Sequence, residues 1–545
     1  MDVAALPKDV REYVRSLEKQ TRDASQRIRV LEVRNKESSQ HIHTLEIRNR
    51  ESAELIQSLE SRFTALEEQY RLLLLHRFAR KSEKSQDIEA QGLLFEEPSS
   101  PQDGKTEEDE EQTVGSYSRK KRGRKPLDDS LPREEVILDI PEEDKSCACG
   151  EKLSRIGEEV SERLEVIQPR MWVKRIIRPK YACRACEGSG DEEKSAVRIA
   201  PAPESIIPKS IVSPGLLSFI ITNKFVDHLP YYRQEGRFER IGVHISRQNM
   251  SNWQQAAYEK IRPLVELLKH HIRTGPVINM DETPVQVLGE EGRKDTQKSY
   301  MWLARGGPPD KPALLYSYRE TRGSEHIKEI LSGYSGYLQT DGYGAYETAL
   351  KENPDIIHVG CMAHARRKFD EAAKVSQKAA SAAEALKHIR GLYRLESELR
   401  AMNLSQEEFL RLRQEKARPL LTAFRGWLEK RAPQVPPSLA LGKAISYTLT
   451  EWPKLVRYLD CAELTPDNNA AENAIRPFVL GRKNWLFSGS PSGAESSCAM
   501  YSLIETAKHN GLNPQEYLLK VFESAPLIQR EEDWARLLPW NITLP

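Results

Sequence analysis

The sequence predicts a multidomain α+β protein, and three observations carry this prediction. Apolar residues recur with a seven-residue period through much of the first 90 residues, four cysteines cluster between residues 147 and 186, and a series of strands and helices begins near residue 274. At roughly 100–200 residues per domain, a chain of 545 residues has room for several structural units.

Composition limits the class of protein without identifying a partner. The chain has 82 Lys and Arg against 81 Asp and Glu, so a nucleic-acid partner would have to be recognised by local blocks of charge. The first residues show no signal peptide, and the longest apolar runs are much shorter than the ~20 residues that span a membrane. Seven cysteines, an odd number, fit a reducing compartment. We expect a soluble, cytoplasmic protein with no membrane partner.

Residues 1–90 are predicted to form a coiled-coil oligomerisation helix. Apolar residues, mostly isoleucine and leucine, recur at the two core positions of the heptads, and the block beginning at Ile28 repeats at Ile42. The repeat places Asn35 and Asn49 at the same core position, where polar residues favour one register and one partner number. We expect a homo-oligomer, most simply a dimer. The alternative is one amphipathic helix packed on its own chain.

Residues 91–132 are predicted to be a disordered linker with a basic arm. The stretch is acidic and rich in Ser and Pro up to residue 112, so it lacks the apolar area needed to fold. The arm that follows is suited to DNA phosphates or a narrow minor groove. The alternative is a solvated linker that neutralises its acidic neighbour. Its cationic residues are Arg119, Lys120, Lys121, Arg122, Arg124 and Lys125.

Residues 133–205 are predicted to be a small β-rich zinc-binding unit. Cys147 and Cys149 form a C-x-C pair, one residue tighter than usual, whereas Cys183 and Cys186 form a standard C-x2-C pair. Four thiolates from two turns can bind one structural Zn²⁺ and stabilise a unit that has little core of its own. The alternative is four free thiols in a marginal hairpin.

Residues 206–273 are predicted to be a helix-turn-helix-like DNA-binding domain of three short helices. Ser213 followed by Pro is typical of a helix start, and Ser246 is predicted to cap a last helix that ends near residue 259. That helix begins with Arg247, Gln248 and Asn249, side chains that can contact base edges in the major groove. The alternative is a plain helical connector.

Residues 274–372 are predicted to be the first part of an α/β catalytic domain. Three strands are followed by helix, strand, helix and strand, which is the order of the ribonuclease-H-like fold. In that fold the first and fourth strands are neighbours. Asp281 and Asp341 are each predicted to end one of these strands, so we expect their carboxylates to face each other. Either aspartate alone could be an ordinary turn or cap residue.

A third carboxylate, Glu472, lies on a predicted helix with Arg476 one turn further along and Arg482 and Lys483 beyond it. Three carboxylates can hold two Mg²⁺ or Mn²⁺ ions, because hard cations take oxygen ligands. Two such ions ~3.5–4 Å apart activate the attacking oxygen and neutralise the leaving oxygen of a phosphodiester. The cationic side chains nearby are suited to holding the phosphates.

The chain resembles the transposases of the insertion sequence 66 family. The resemblance covers nearly the whole chain, with M-D-E-T-P around Asp281, L-Q-T-D-G-Y around Asp341 and D-N-N-A-A-E-N-A-I-R-P around Glu472. It implies a DDE active site formed by these three residues and activity on double-stranded DNA at the bacterial nucleoid. It also implies accessory proteins encoded by the same element. It also implies a helical insertion, here residues 373–462, so that the catalytic domain resumes at 463–520 before a tail at 521–545.

The resemblance includes C-M-A-H-A-R-R-K-F, which contains Cys361 and His364. Two ligands do not make a zinc site, so we expect His364 to have a structural or supporting role near the carboxylates rather than to bind zinc. Arg366 and Arg367 are candidates for contact with phosphate. A solvated basic face is the alternative.

The predicted function is a DNA transposase that cleaves transposon ends and joins their 3′-hydroxyls to target DNA. A catalytically idle DNA-binding regulator derived from a transposase is the first alternative. A ribonuclease-H-like nuclease without strand transfer is the second.

Overall fold

The computed structural model describes residues 7–78, 171–182, 197–375 and 379–544, which form a mixed α+β structure as predicted. The chain divides into two compact units, residues 1–96 with 203–545, and residues 97–202. The predicted linker, its basic arm and the four clustered cysteines lie outside the described residues. In the second unit, the described residues include a short antiparallel pair of strands, β1 (Lys180–Ala182) and β2 (Val197–Ile199).

Helix α1 (Lys8–Phe78) is 71 residues long, which corresponds to about 105 Å. Its heptad side chains are largely exposed along the helix, with Leu31 at 61% and Ile56 at 56% exposure. Near its end the helix packs on the rest of the unit, where the Glu68 carboxylate accepts the Ala440 N–H at 2.7 Å. The apolar seam therefore remains available for a second helix, and the oligomer remains a prediction.

Three helices follow, namely α2 (Pro214–Phe225), α3 (Tyr231–Arg240) and α4 (Arg247–His271). The predicted serine caps are confirmed, since Ser213 accepts the Leu216 N–H and Ser246 accepts the Asn249 N–H. The predicted end of α4 near residue 259 is wrong. The helix continues through Pro263 to His271, because its apolar face stays fully buried at Ile261, Leu264 and Leu268.

A six-stranded mixed sheet forms the centre of the main unit. Its strands are β3 (Val277–Val287), β4 (Lys298–Gly306), β5 (Ala313–Arg319), β6 (Gly336–Gln339), β7 (Ile356–Val359) and the short β8 (Phe487–Ser488). The order is β5-β4-β3-β6-β7. The β5–β4 and β4–β3 pairs are antiparallel, and the β3–β6 and β6–β7 pairs are parallel. Strand β8 pairs with the far end of β3. The first and fourth strands of this domain, β3 and β6, are neighbours as predicted.

Two short helices, α5 (Ser324–Ile330) and α6 (Gly344–Leu350), connect β5 to β6 and β6 to β7. After β7 come α7 (Met362–Val375), α8 (Ala379–Arg400), α9 (Gln406–Arg431) and α10 (Ala440–Leu455). These four share an apolar core that includes Phe369, Leu392, Phe424 and Leu428. The stretch between β7 and the Glu472 helix is thus helical, as expected.

The chain then forms α11 (Asn469–Trp485), α12 (Pro491–His509) and α13 (Pro514–Ser524). Helix α12 packs along β5, the outermost strand on its side of the sheet. Its Thr506 and Ser502 hydroxyls accept the backbone N–H groups of Leu314 and Tyr316 at 3.0 and 2.8 Å. Within the described ranges, no helix has the length and apolar character needed to cross a membrane.

Candidate functional site

Asp281 lies within β3, and Asp341 lies just beyond the end of β6, the parallel strand beside it. The last residues paired between β3 and β6 are Asn279 and Gln339, and each aspartate follows its strand's paired residue by two positions. The prediction that Asp281 ends its strand is wrong, because β3 continues past it while paired with β4. The β6 side of β3 is nevertheless unpaired at Asp281, so the two aspartates adjoin the same gap.

The charges that influence Asp281 include those of the other two predicted acids. Burial raises the pKa of Asp281 to about 7, and the charges of Glu282, Glu472 and Asp341 add to the rise. The Glu282 N–H donates to Asp281 Oδ1 at 2.9 Å, and this hydrogen bond opposes the rise in the pKa of Asp281. Asp341 is held by a local turn in which the Tyr343 N–H donates to its Oδ1 at 3.0 Å.

Glu472 lies in the first turn of α11, and buried amide side chains fix the start of that helix against the sheet. Asn468 donates to the Met280 carbonyl at 2.8 Å and accepts from the Asn279 amide at 3.1 Å. The Asn279 amide also donates to Gln339 Oε1 at 3.1 Å. We call Asn279, Gln339 and Asn468 the amide brace. It links the two aspartate strands to the helix of the third acid.

The sequence argument missed the amide brace, although a signal was present. Asn279 and Gln339 each precede an aspartate by two residues, so they share its face of the strand in segments that are otherwise apolar. A buried amide in such a strand needs hydrogen-bond partners. Both side chains are buried, and each bonds across elements that are distant in sequence.

Helix α7 contributes a second group of side chains beside Glu472. His364 Nδ1 lies 3.8 Å from Glu472 Oε1, and Arg367 Nη2 lies 3.6 Å from Glu472 Oε2. The Asn468 N–H donates to Cys361 Sγ at 3.2 Å. Burial raises the pKa of the Cys361 thiol to about 12 and lowers the pKa of His364. The C-x2-H pair thus adjoins Glu472, and a role of His364 at the carboxylates remains a prediction.

Among the described residues, the side chains close enough together to share a metal ion are Cys361, His364 and Glu472, whose ligand atoms lie within 4.8 Å of one another. Asp281, Asp341 and Glu472 do not form such a group in the described structure. Clustered carboxylates repel each other until protons or cations neutralise them. The positions of the backbone bring the three acids to one gap, whereas the side chain of Glu472 is directed towards α7.

A partly buried ion pair lies beside the aspartates, with its carboxylate on the opposite face of β3 from Asp281. The Glu282 carboxylate is 1% exposed and accepts from Arg322 Nε at 2.6 Å and from the Tyr346 hydroxyl at 2.6 Å. The Arg322 guanidinium stacks on the Tyr343 ring at 3.6 Å. Because Glu282 adjoins Asp281 and Tyr343 holds Asp341, this ion pair connects the two aspartate segments.

The cationic residues proposed for DNA contact fall into three groups. Arg482 donates to the Thr283 hydroxyl at 3.0 Å, two residues along β3 from Asp281, and Arg476 and Lys483 are exposed on the same helix. Arg366 and Arg367 lie on α7, where Arg367 is 3.6 Å from Glu472 and Arg366 is half-buried. Arg247, Gln248 and Asn249 are exposed in the first turn of α4. Contact with DNA remains a prediction for all of them.

Comparison with known families gives four matches along the chain. Residues 209–496 match the transposase IS66 family, and residues 502–540 match the IS66 C-terminal element. Residues 144–187, which contain the four clustered cysteines, match the zinc-finger binding domain of transposase IS66. Residues 65–136, which contain the predicted basic arm, match the transposase C of IS166 homeodomain.

Curated relatives of similar length occur in Sinorhizobium fredii. The uncharacterized protein y4hP is 32% identical over 79% of this chain and 78% of its own length. The uncharacterized protein y4jD is 34% identical over 75% of this chain and 80% of its own length. The uncharacterized protein y4qI is 33% identical over 77% of each chain.

Proposed function

Because this chain belongs to the IS66 family of transposases, we propose that it cleaves transposon ends and joins their 3′-hydroxyls to target DNA by two-metal phosphoryl transfer. The observation that best supports this proposal is the register of β3 and β6. It sets Asp281 beside Asp341, while the amide brace anchors the helix of Glu472 to the same strands.

The catalytic domain in this proposal has a ribonuclease-H-like fold. The strand order β5-β4-β3-β6-β7 supports it, with three antiparallel strands followed by two parallel ones. The helical insertion between β7 and α11 fits the same assignment. In this assignment Asp281 and Glu472, which are 191 positions apart in the sequence, would belong to one site.

Asp281, Asp341 and Glu472 would hold two Mg²⁺ or Mn²⁺ ions. The donor set fits, since hard cations prefer carboxylate oxygens. Burial is the main cause of the raised pKa of Asp281, and the neighbouring carboxylates that add to it favour cation binding. When bound, such ions activate a water or 3′-hydroxyl and stabilise the leaving oxygen. Asp281 must release its proton for this role, and Glu472 must turn from α7 towards the aspartates.

The remaining groups of the site would bind and orient DNA. Arg482 lies on the Asp281 face of β3, where its guanidinium is suited to a phosphate next to the scissile bond. We propose that the exposed first turn of α4 and the basic arm bind the transposon end. Cys147, Cys149, Cys183 and Cys186 would bind the zinc of the matched zinc-finger domain, and α1 would pair with a second chain.

The test is cleavage and joining of DNA that carries the transposon end, with Mg²⁺ or Mn²⁺. Asp341→Asn should lower the cleavage rate by at least about 10³-fold, since losing a metal ligand removes several kcal/mol of transition-state stabilisation. Glu325→Gln, an exposed carboxylate on α5, is the matched control and should retain the rate.

Three outcomes separate the candidate functions. Full cleavage by Asp341→Asn would contradict the assignment of the site. Binding of end DNA without cleavage under any divalent cation would favour the regulator. Cleavage without joining of pre-cut ends would favour a simple nuclease.

A further inference from the structure

Three side chains beside the carboxylate gap form a donor set of a different chemical kind. The thiol of Cys361, the imidazole Nδ1 of His364 and a carboxylate oxygen of Glu472 lie within 4.8 Å of one another. Sulfur and imidazole nitrogen are ligands for Zn²⁺ and similar ions, whereas Mg²⁺ takes oxygen. The set is therefore suited to an ion that the two aspartates would not select.

The backbone holds these donors in place. Cys361 immediately precedes α7 and His364 lies in its first turn, so both side chains face the start of α11. Backbone N–H groups of Asn468 and His364 donate to the sulfur of Cys361, which partly offsets the burial that raises the pKa of this thiol. His364 Nδ1 is buried and has no hydrogen-bond partner among the described residues. A bound cation would satisfy that nitrogen.

We propose that Cys361, His364 and Glu472 form a binding site for one thiophilic divalent cation, such as Zn²⁺, separate from the predicted zinc-finger site. Three protein ligands leave the fourth tetrahedral position for water. Binding replaces the S–H bond of Cys361 by a metal–sulfur bond and releases the thiol proton to the buffer. Arg367, 3.6 Å from Glu472, opposes the cation, but its side chain is 46% exposed and has room to turn into solvent.

The site regulates catalysis because it shares Glu472 with the proposed active site, and this part of the inference rests on the proposed function. A cation bound to Cys361 and His364 also binds Glu472 and keeps its side chain directed towards α7. Glu472 then does not reach the proposed Mg²⁺ site. Thiophilic cations therefore inhibit cleavage, and inhibition depends on two residues that do not themselves bind Mg²⁺.

The first experiment measures zinc bound to the full-length protein after equilibration with Zn²⁺ in excess Mg²⁺ and desalting. Cys361→Ser and His364→Ala should each bind one zinc fewer per chain than the unmodified protein, with melting curves showing that they fold. Cys461→Ser, a cysteine outside the cluster, is the matched control and should lose none. Equal zinc content in all four proteins would overturn the proposal. If Cys361→Ser does not fold, the zinc content of His364→Ala decides the result, because the His364 side chain is partly exposed and its loss disturbs the core less.

The second experiment titrates Zn²⁺ into the Mg²⁺-dependent cleavage reaction, with each protein compared with its own rate without zinc. The zinc concentration for half-inhibition should rise at least about tenfold in Cys361→Ser and not in Cys461→Ser, because loss of a ligand weakens metal binding by at least that factor. An unchanged value would refute inhibition through this site. If no protein cleaves DNA in Mg²⁺, the proposed function fails while the zinc measurement still tests the site.

Discussion

Asn468 offers the most direct test of how the site is assembled. Replacing it with alanine removes the hydrogen bond to the Met280 carbonyl and the one from the Asn279 amide. Both remaining partners are buried, and an unsatisfied buried polar group costs about 1–3 kcal/mol. We therefore expect Asn468→Ala to lower the free energy of unfolding by about 2–4 kcal/mol.

The neighbouring Asn469 supplies the matched control. It is exposed, and its side chain donates to Asp467 at 2.9 Å without reaching the sheet. Asn469→Ala should cost less than about 1 kcal/mol, because an exposed hydrogen bond contributes little.

The assay is urea denaturation followed by circular dichroism, paired with the DNA cleavage rate. Asn468→Ala should slow cleavage even where the protein is fully folded, because the helix of Glu472 loses its anchor on β3. Equal losses of stability and rate for Asn468→Ala and Asn469→Ala would refute the role of the amide brace.

Further predictions concern pH, the partly buried ion pair and the long helix. The pKa of Asp281 is raised in the folded state to about 7, so the metal-free protein should lose stability as pH rises from about 4 to 7 and should change little above pH 7. Asp281→Asn should reduce the difference in unfolding free energy between pH 5 and pH 8, measured by denaturation. Arg322→Met should destabilise the protein by about 2 kcal/mol by leaving the Glu282 charge buried, and a second change, Glu282→Gln, should recover part of that loss in the same urea assay. Leu45→Lys on the exposed seam of α1 should reduce the mass measured by light scattering to that of one chain while the unfolding of the main unit stays unchanged; an unmodified protein that is already monomeric would contradict the coiled coil.

Local patterns predicted much of this fold because the forces involved are local. The serine caps of α2 and α4 follow from side chains that accept backbone N–H groups within one turn. The order of strands and helices follows from hydrophobic periodicity, and it was enough to expect Asp281 and Asp341 on neighbouring strands.

Features that depend on distant contacts could not be predicted in the same way. Strand β3 continues beyond Asp281 because β4 remains paired with it. This pairing depends on a second strand, so the sequence around Asp281 alone does not show where β3 ends. Cys361 contacts the backbone of Asn468, 107 positions away, through the packing of α7 on the start of α11. A sequence pattern can suggest each segment, but this contact depends on the assembled tertiary structure.

The packing of α12 on β5 has a consequence for the protein outside its DNA complex. An outer strand with unpaired N–H groups can recruit extended segments of other chains, which is a common route to aggregation. In β5 the outward N–H groups of Leu314 and Tyr316 already donate to hydroxyls of α12. Helix α12 therefore protects this edge of the sheet from pairing with a strand of another chain. The exposed apolar residues of α1 are thus not accompanied by an unprotected strand at β5.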